Sequence, residues 1–175
     1  MAKSWNRALR QGLVSGTAAS LLSTGALMLL GRKETGSAWA PVNAVSHWYW
    51  DTDALRKNRV TLKYTLPGYL THHASSVFWA VLFERLFGQR SRQSSFRIVA
   101  ASAATAAVAC FIDYQLTPKR LTPGFEHRLS KSALFFVYAA FGAGLALTAI
   151  SRAAATPAGK QMRRRQASAL PSDSV

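Results

Sequence analysis

Acidic residues are scarce in this chain: seven Asp and Glu stand against 22 Lys and Arg, for a net charge of +15. That balance invites a nucleic-acid partner. The bases, however, are dealt three, six, four, four and five to the five segments that separate the apolar runs, with no aromatic-interleaved stripe. Anionic lipid headgroups are therefore the expected partner, and nucleic acid is not. Cysteine is lacking but for Cys110, which excludes an internal disulfide and, lying in an apolar run, says nothing of the redox compartment. The spacings of familiar site chemistry are also missing. There is no HxxxH or HExxH pair, no glycine-rich phosphate loop and no Ser/His/Asp order, so neither metal nor cofactor nor enzymatic activity is expected.

The most informative absence is that of charge over long stretches. Residues 11–31, 64–83 and 132–151 carry none, and residues 98–116 carry only Asp113. A helix rising 1.5 Å per residue crosses the ~30 Å hydrocarbon core of a bilayer in about 20 apolar residues. A soluble four-helix bundle would show a charged face every three or four residues, and these runs do not. The expected fold is all-α: an integral membrane four-helix bundle, with spans at about 11–31, 64–84, 98–117 and 132–151 in one domain, 1–152. A basic tail, 153–175, is polar and aperiodic and reads as disordered.

Lys3, Arg7 and Arg10 before the first run suggest a signal peptide, but the run is longer than the ~7–15 residues of a signal core, and Pro41 would follow the candidate cut after Ala40. It reads as a retained first span. Gly12, Gly16, Ser20 and Thr24 recur along it at every fourth residue, the spacing that lets helix backbones approach closely. The first loop, 32–63, should lie on the membrane surface. Pro41 opens a short helix there, Trp39, Val42, Val45, Trp48 and Tyr49 anchor it in the headgroup boundary, and Asp51 to Asp53 cap a second helix at 54–57. The fourth helix should begin at Pro123, capped by Thr122, with Glu126 and His127 on its first turns.

The candidate site follows from topology. With four spans, the first and third loops share a side, which gathers all four histidines (His47, His72, His73, His127) and five of the seven acids (Glu34, Asp51, Asp53, Asp113, Glu126) at one end. Within the second span His72, Ser75, Ser76 and Trp79 share a face, with His73 about 100° round. On the third, Asp113, Cys110, Ala109, Ala106 and Ser102 share another, so the carboxylate should point into the bundle, where a costly intramembrane charge finds a partner. The polar cluster is thus His72, His73, Asp113 and Ser76, with His47, Asp51, Glu126 and His127 in the loops of the same end. Three readings compete: a structural His–Asp contact, a proton or ion relay, and a metal or haem site. A slight excess of bases, 12 against 10, together with the flanks of the first span, puts both termini in the cytoplasm.

The phrases APVNAVSHWYW leading to GYLTHHASSVFWAVLFE, and DYQLTPKRLTPGFEHRL, resemble small four-span inner-membrane proteins of bacteria whose chemistry is uncharacterised. The layout is also similar to that of bacterial inner-membrane proteins connected with acid tolerance. The resemblance implies a bacterial inner-membrane location and no residue role. The expectation is a non-enzymatic structural or accessory component, the alternative a small transporter or proton/ion-handling protein, with a second copy or another membrane protein as a further partner.

Overall fold

The structure, a computed structural model, describes residues 2–88 and 94–155, with only the backbone of residues 2–4. All regular structure among them is helical: α1 (Ala2–Thr35), α2 (Ala40–Val45), α3 (His47–Leu55), α4 (Thr65–Leu86), α5 (Ser95–Phe111) and α6 (Lys131–Ala155). A π-helical turn (Ile112–Leu116) extends α5, and two 3₁₀ turns (Lys119–Leu121, Phe125–His127) lie between it and α6.

Three helices are long and apolar enough to cross a membrane: Trp5–Thr35, Ser95–Leu116 and Lys131–Ala155. The fourth expected span has the length in α4 but not the mean hydropathy, because Thr65, Pro67, Thr71, His72, His73, Ser75 and Ser76 dilute its apolar residues. The long helices are inside out compared with those of a water-soluble protein. Their outer surfaces carry Leu13, Leu21, Leu29, Phe78, Phe135, Phe136 and Leu147, while Ser15, Ser20, Ser23, Ser76 and Ser102 are buried. Exposed apolar surface on that scale requires a non-aqueous neighbour.

Small residues set the packing. A Cβ on Gly12 would meet the Val81 backbone at 2.7 Å and one on Gly16 the Val77 Cα at 2.6 Å, so α1 and α4 lie antiparallel with their backbones nearly touching. On another side of α1, Gly144 of α6 sits where a Cβ would come within 2.4 Å of the Ala19 Cα. Helix α6 in turn packs on α5 through Gly142 against Ala106 and Ser102. The long helices therefore follow the order α4, α1, α6, α5, and α4 and α5 touch sparingly. One core cluster (Ala19, Ala80, Phe83, Ala106, Phe141, Leu145) fills the half toward the termini. A second (Leu27, Val42, Val45, Phe125, Leu129, Ala133, Val137) fills the loop end.

The first loop corrects the expectation of a surface-lying segment for its first helix, α2, while Tyr49, Trp50, Val60 and Leu62 beyond it are exposed. Pro41 does stand in the first turn of α2, but all six residues of that helix are buried, and Val42 and Val45 pack into the core rather than facing headgroups. Asn43 holds it there: its amide donates to the carbonyls of Lys57 and Arg59, both at 3.0 Å, and its side-chain oxygen accepts from Thr65 at 2.6 Å. The second short helix expected after Asp51 to Asp53 is present in part, since a kink at Asp51 divides α3 and the segment beyond it ends at Leu55 rather than Lys57. α3 runs from His47 to Leu55 and breaks at Asp51, whose φ of 45° lies in the left-handed region.

The start of α6 is the other correction. It begins at Lys131, not Pro123, because the chain after Pro123 turns through Gly124 at φ 89° and a single 3₁₀ turn. Gly124 also lies so close to α2 and α3 that a Cβ would sit 2.5 Å from the Ala44 carbonyl oxygen and the His47 ring. A helix through 123–130 would lose that contact. The tail, expected to be disordered from residue 153, is helical as far as Ala155, where α6 ends; its remainder, 156–175, lies outside the described residues.

Candidate functional site

The sparing contact of α4 with α5 leaves a cavity of about 480 Å³ between them, lined toward the loop end by Trp48, Leu121 and Phe125. His72, Ser75, Ser76 and Trp79 all line it, as their shared helical face requires, and Asp113 lines the wall opposite. Of the expected cluster, His72, Ser76 and Asp113 thus border one space and His73 does not. The sequence expectation did not give their bonds.

Neither histidine of α4 pairs with Asp113. Ser23 donates its hydroxyl to the Ala19 carbonyl at 2.8 Å, which turns an oxygen lone pair toward the Nε2 of His72, also at 2.8 Å. The imidazole is then the donor, so the neutral ring carries its proton on Nε2 and leaves Nδ1 as an acceptor. Ser76 donates to the His72 carbonyl at 2.9 Å, a back-bond within α4. Asp113 accepts from the Tyr138 hydroxyl of α6 at 2.6 Å. It stands on the π turn, where the Thr117 amide reaches the Ile112 carbonyl at 2.9 Å. Such single π turns recur at functional sites because the wider turn re-aims the side chains on it. His73 points elsewhere: its ring lies 5.7 Å from that of Tyr69, and its buried Nδ1 has no partner.

The expected loop residues do meet at one end. Trp48 donates to the Thr122 carbonyl at 2.9 Å, Arg128 to the Leu55 carbonyl at 2.7 Å, and Glu34 accepts from the amide and hydroxyl of Ser130, both at 2.7 Å. The His47 ring donates through Nδ1 to the Ala44 carbonyl at 2.9 Å and lies 6.3 Å from the ring of His127. Glu126 is 3.8 Å from His127 and borders a separate groove of about 1070 Å³ between α5 and α6. Asp51 faces Arg120 at 3.9 Å, with both side chains about three-quarters exposed, a pairing worth little. These groups tie the loops together and, Trp48 apart, do not line the α4–α5 cavity. Among the described residues, no three His, Cys, Asp or Glu side chains converge as metal ligands do.

Four features escaped the sequence. Tyr138 and Ser23, the actual partners, sit in apolar runs and are visible only once helix neighbours are known. Asn43 had a usable signal, an amide in an otherwise apolar helix. At the opposite end of the molecule Glu84, fully buried, pairs with Arg152 and so ties α4 to α6. No protein-family model, curated protein or solved structure matches the chain, so nothing transfers to these residues by descent.

Proposed function

We propose that the protein is a four-span α-helical component of a bacterial inner membrane, with both termini cytoplasmic, and that its role is to bind or pass a small solute through the α4–α5 cavity without chemical conversion. The observation that carries this reading is the cavity itself. A purely structural bundle has no reason to leave two helices apart where a few larger side chains would close them, since void costs stability. A space of this size, mostly apolar with a few inward polar groups, is what small-molecule sites look like. The α4 helix, too polar to cross alone, is covered by α1 along one side and faces the cavity with its polar residues on the other. That arrangement fits a span inserted with its neighbours.

A structural or accessory role has one observation in its favour: His72 and Asp113 each have a protein partner, which is sufficient to explain a buried polar group. The two readings separate on whether the cavity holds water. A thiol reacts as its thiolate, which forms in water and not in hydrocarbon. In a Cys110→Ala background, Ser75→Cys should therefore react with a small methanethiosulfonate about tenfold or more faster than Leu147→Cys on the outer surface of α6. Equal, slow labelling at the two positions would favour the closed structural bundle. Fusions of alkaline phosphatase and green fluorescent protein after residues 60 and 155 test the topology; phosphatase activity at 155 but not at 60 would invert the orientation.

A further inference from the structure

The cavity has a chemical bias of its own. Among the described residues, Asp113 is the one formally charged side chain lining it, and no Lys or Arg side chain borders the space. The other acids with described contacts are occupied: Glu34 by Ser130, Asp51 by Arg120, Glu84 by Arg152 and Glu126 by His127. Asp113 has one hydroxyl donor and no cation. A carboxylate away from bulk water with its charge uncompensated is costly, and a ligand that brings the opposite charge recovers that cost. Around it the walls are aromatic: Trp48, Phe78, Trp79, Phe125, Tyr138 and Phe141. Phe125 stands 6.3 Å from the His72 ring and 6.4 Å from that of Tyr138, and Phe78 lies 5.5 Å from Trp79, so π surface covers the α4 wall and the side formed by Phe125 and α6, while the α5 wall beside Asp113 carries Ala109 and Ile112. Ring faces attract cations, most strongly where water is excluded, and are the usual lining of sites for substituted ammonium groups.

We propose that the α4–α5 cavity binds a small lipophilic organic cation, an aryl or alkyl ammonium, with its charge at Asp113 and its apolar body against the aromatic walls. An anion meets the carboxylate with like charge. A neutral molecule of the same shape gains the walls and leaves Asp113 uncompensated. This inference rests on the proposed reading of the cavity as a solute site, and its test is chosen to fail separately.

Full-length protein in nanodiscs is titrated with three probes of nearly one shape: benzyltrimethylammonium, its neutral isostere neopentylbenzene, and the anion phenylmethanesulfonate. Melting temperature and tryptophan fluorescence are followed. The expected result is saturable stabilisation by the ammonium alone, with affinity falling at least tenfold in Asp113→Asn and retained in Asp113→Glu. Asn keeps an acceptor for Tyr138, so folding should survive the change. Trp79→Leu, which leaves the carboxylate in place, should weaken the ammonium severalfold and serves if Asp113→Asn does not fold. Equal binding of cation and neutral isostere, or an ammonium affinity untouched in both Asp113→Asn and Trp79→Leu, overturns the inference while leaving the cavity as a solute site. No binding of any probe also overturns it. The separate reading falls only if Ser75→Cys labels as slowly as a lipid-facing thiol.

Discussion

Along one side α4 meets α1 with Gly12 and Gly16 against Val81 and Val77, backbones so close that no side chain larger than hydrogen fits; along another it stands off from α5 across a space of about 480 Å³. The residues differ as the contacts do. The α1 seam is built from Gly, Val and Ala, whereas the α5 side carries His72, Ser75, Ser76 and Trp79. In lipid, where no hydrophobic effect drives helices together, close van der Waals packing between small residues is what holds a seam. A helix can then be fixed by one such seam and leave its polar side standing off from a neighbour. The lesson is that the rigid and the chemically equipped sides of α4 are separable, and each can be broken by itself.

The largest effect is expected where the closed side is fastened by charge. Glu84 is fully buried and its carboxylate pairs with Arg152, joining the ends of α4 and α6. Glu84→Ala leaves the Arg152 guanidinium without its acid, a change that typically costs about 3–5 kcal/mol, measurable as denaturant unfolding in detergent. The paired replacement Glu84→Met with Arg152→Leu should recover most of that loss, since a buried ion pair exchanged for apolar residues is often near neutral. A single variant as stable as the parent would mean that water reaches this end.

Next comes the seam itself. Gly16→Val puts a branched side chain where the Val77 backbone already stands, and the helices must part. Overpacking of this kind costs about 1–3 kcal/mol and sometimes more, because backbone yields less readily than a flexible side chain. The same substitution at Gly25, which has nothing within 4 Å, is the control and should cost no more than a few tenths of a kcal/mol. Comparable losses at the two positions would show that helix propensity, not the seam, is being measured.

Much of this fold was legible before any coordinates. The ends of α4, of α5 with its π turn, and of α6 lie within a few residues of the charge-free runs, because excluding charge from a span is a simple rule with one sign; α1 instead runs from Ala2 to Thr35, past the bases on both sides of its run. The His72, Ser75, Ser76 and Trp79 face also follows from helical periodicity alone. The pairings did not, because periodicity orients a side chain about its own helix and says nothing of the neighbour's register. Asp113 was expected to find a histidine and found Tyr138, which an apolar run had hidden. The loop misled for a related reason. Aromatic and apolar residues such as Val42 and Val45 suit a headgroup boundary or a protein interior equally, and only the three hydrogen bonds of Asn43 decide for the interior.

Those pairings give a prediction of intermediate size. In double-mutant cycles, Asp113→Asn with Tyr138→Phe and His72→Ala with Ser23→Ala should each show coupling of about 0.5–1.5 kcal/mol, the worth of one partly buried hydrogen bond. The cycle between His72 and Asp113, which face each other across the cavity without contact, should be additive within about 0.5 kcal/mol. Strong coupling there would mean that the two walls come together and that the gap is not a standing feature of the molecule.

The smallest effect should fall at the open side. Ser75 is exposed at the mouth of the cavity, and its hydroxyl takes part in no described hydrogen bond. Ser75→Leu removes no partner and adds apolar bulk where there is room for it, so stability should change by less than about 0.5 kcal/mol, the range of a substitution away from packed or paired groups. Set beside Gly16→Val on the neighbouring helix, it compares a residue enlarged into space with one enlarged into backbone. A Ser75→Leu loss approaching that of Gly16→Val would remove the asymmetry from which the cavity, and the function proposed for it, have been argued. A neutral result together with slower labelling of a cysteine at Ile112 on the opposite wall would instead show leucine filling a space that the native sequence keeps open.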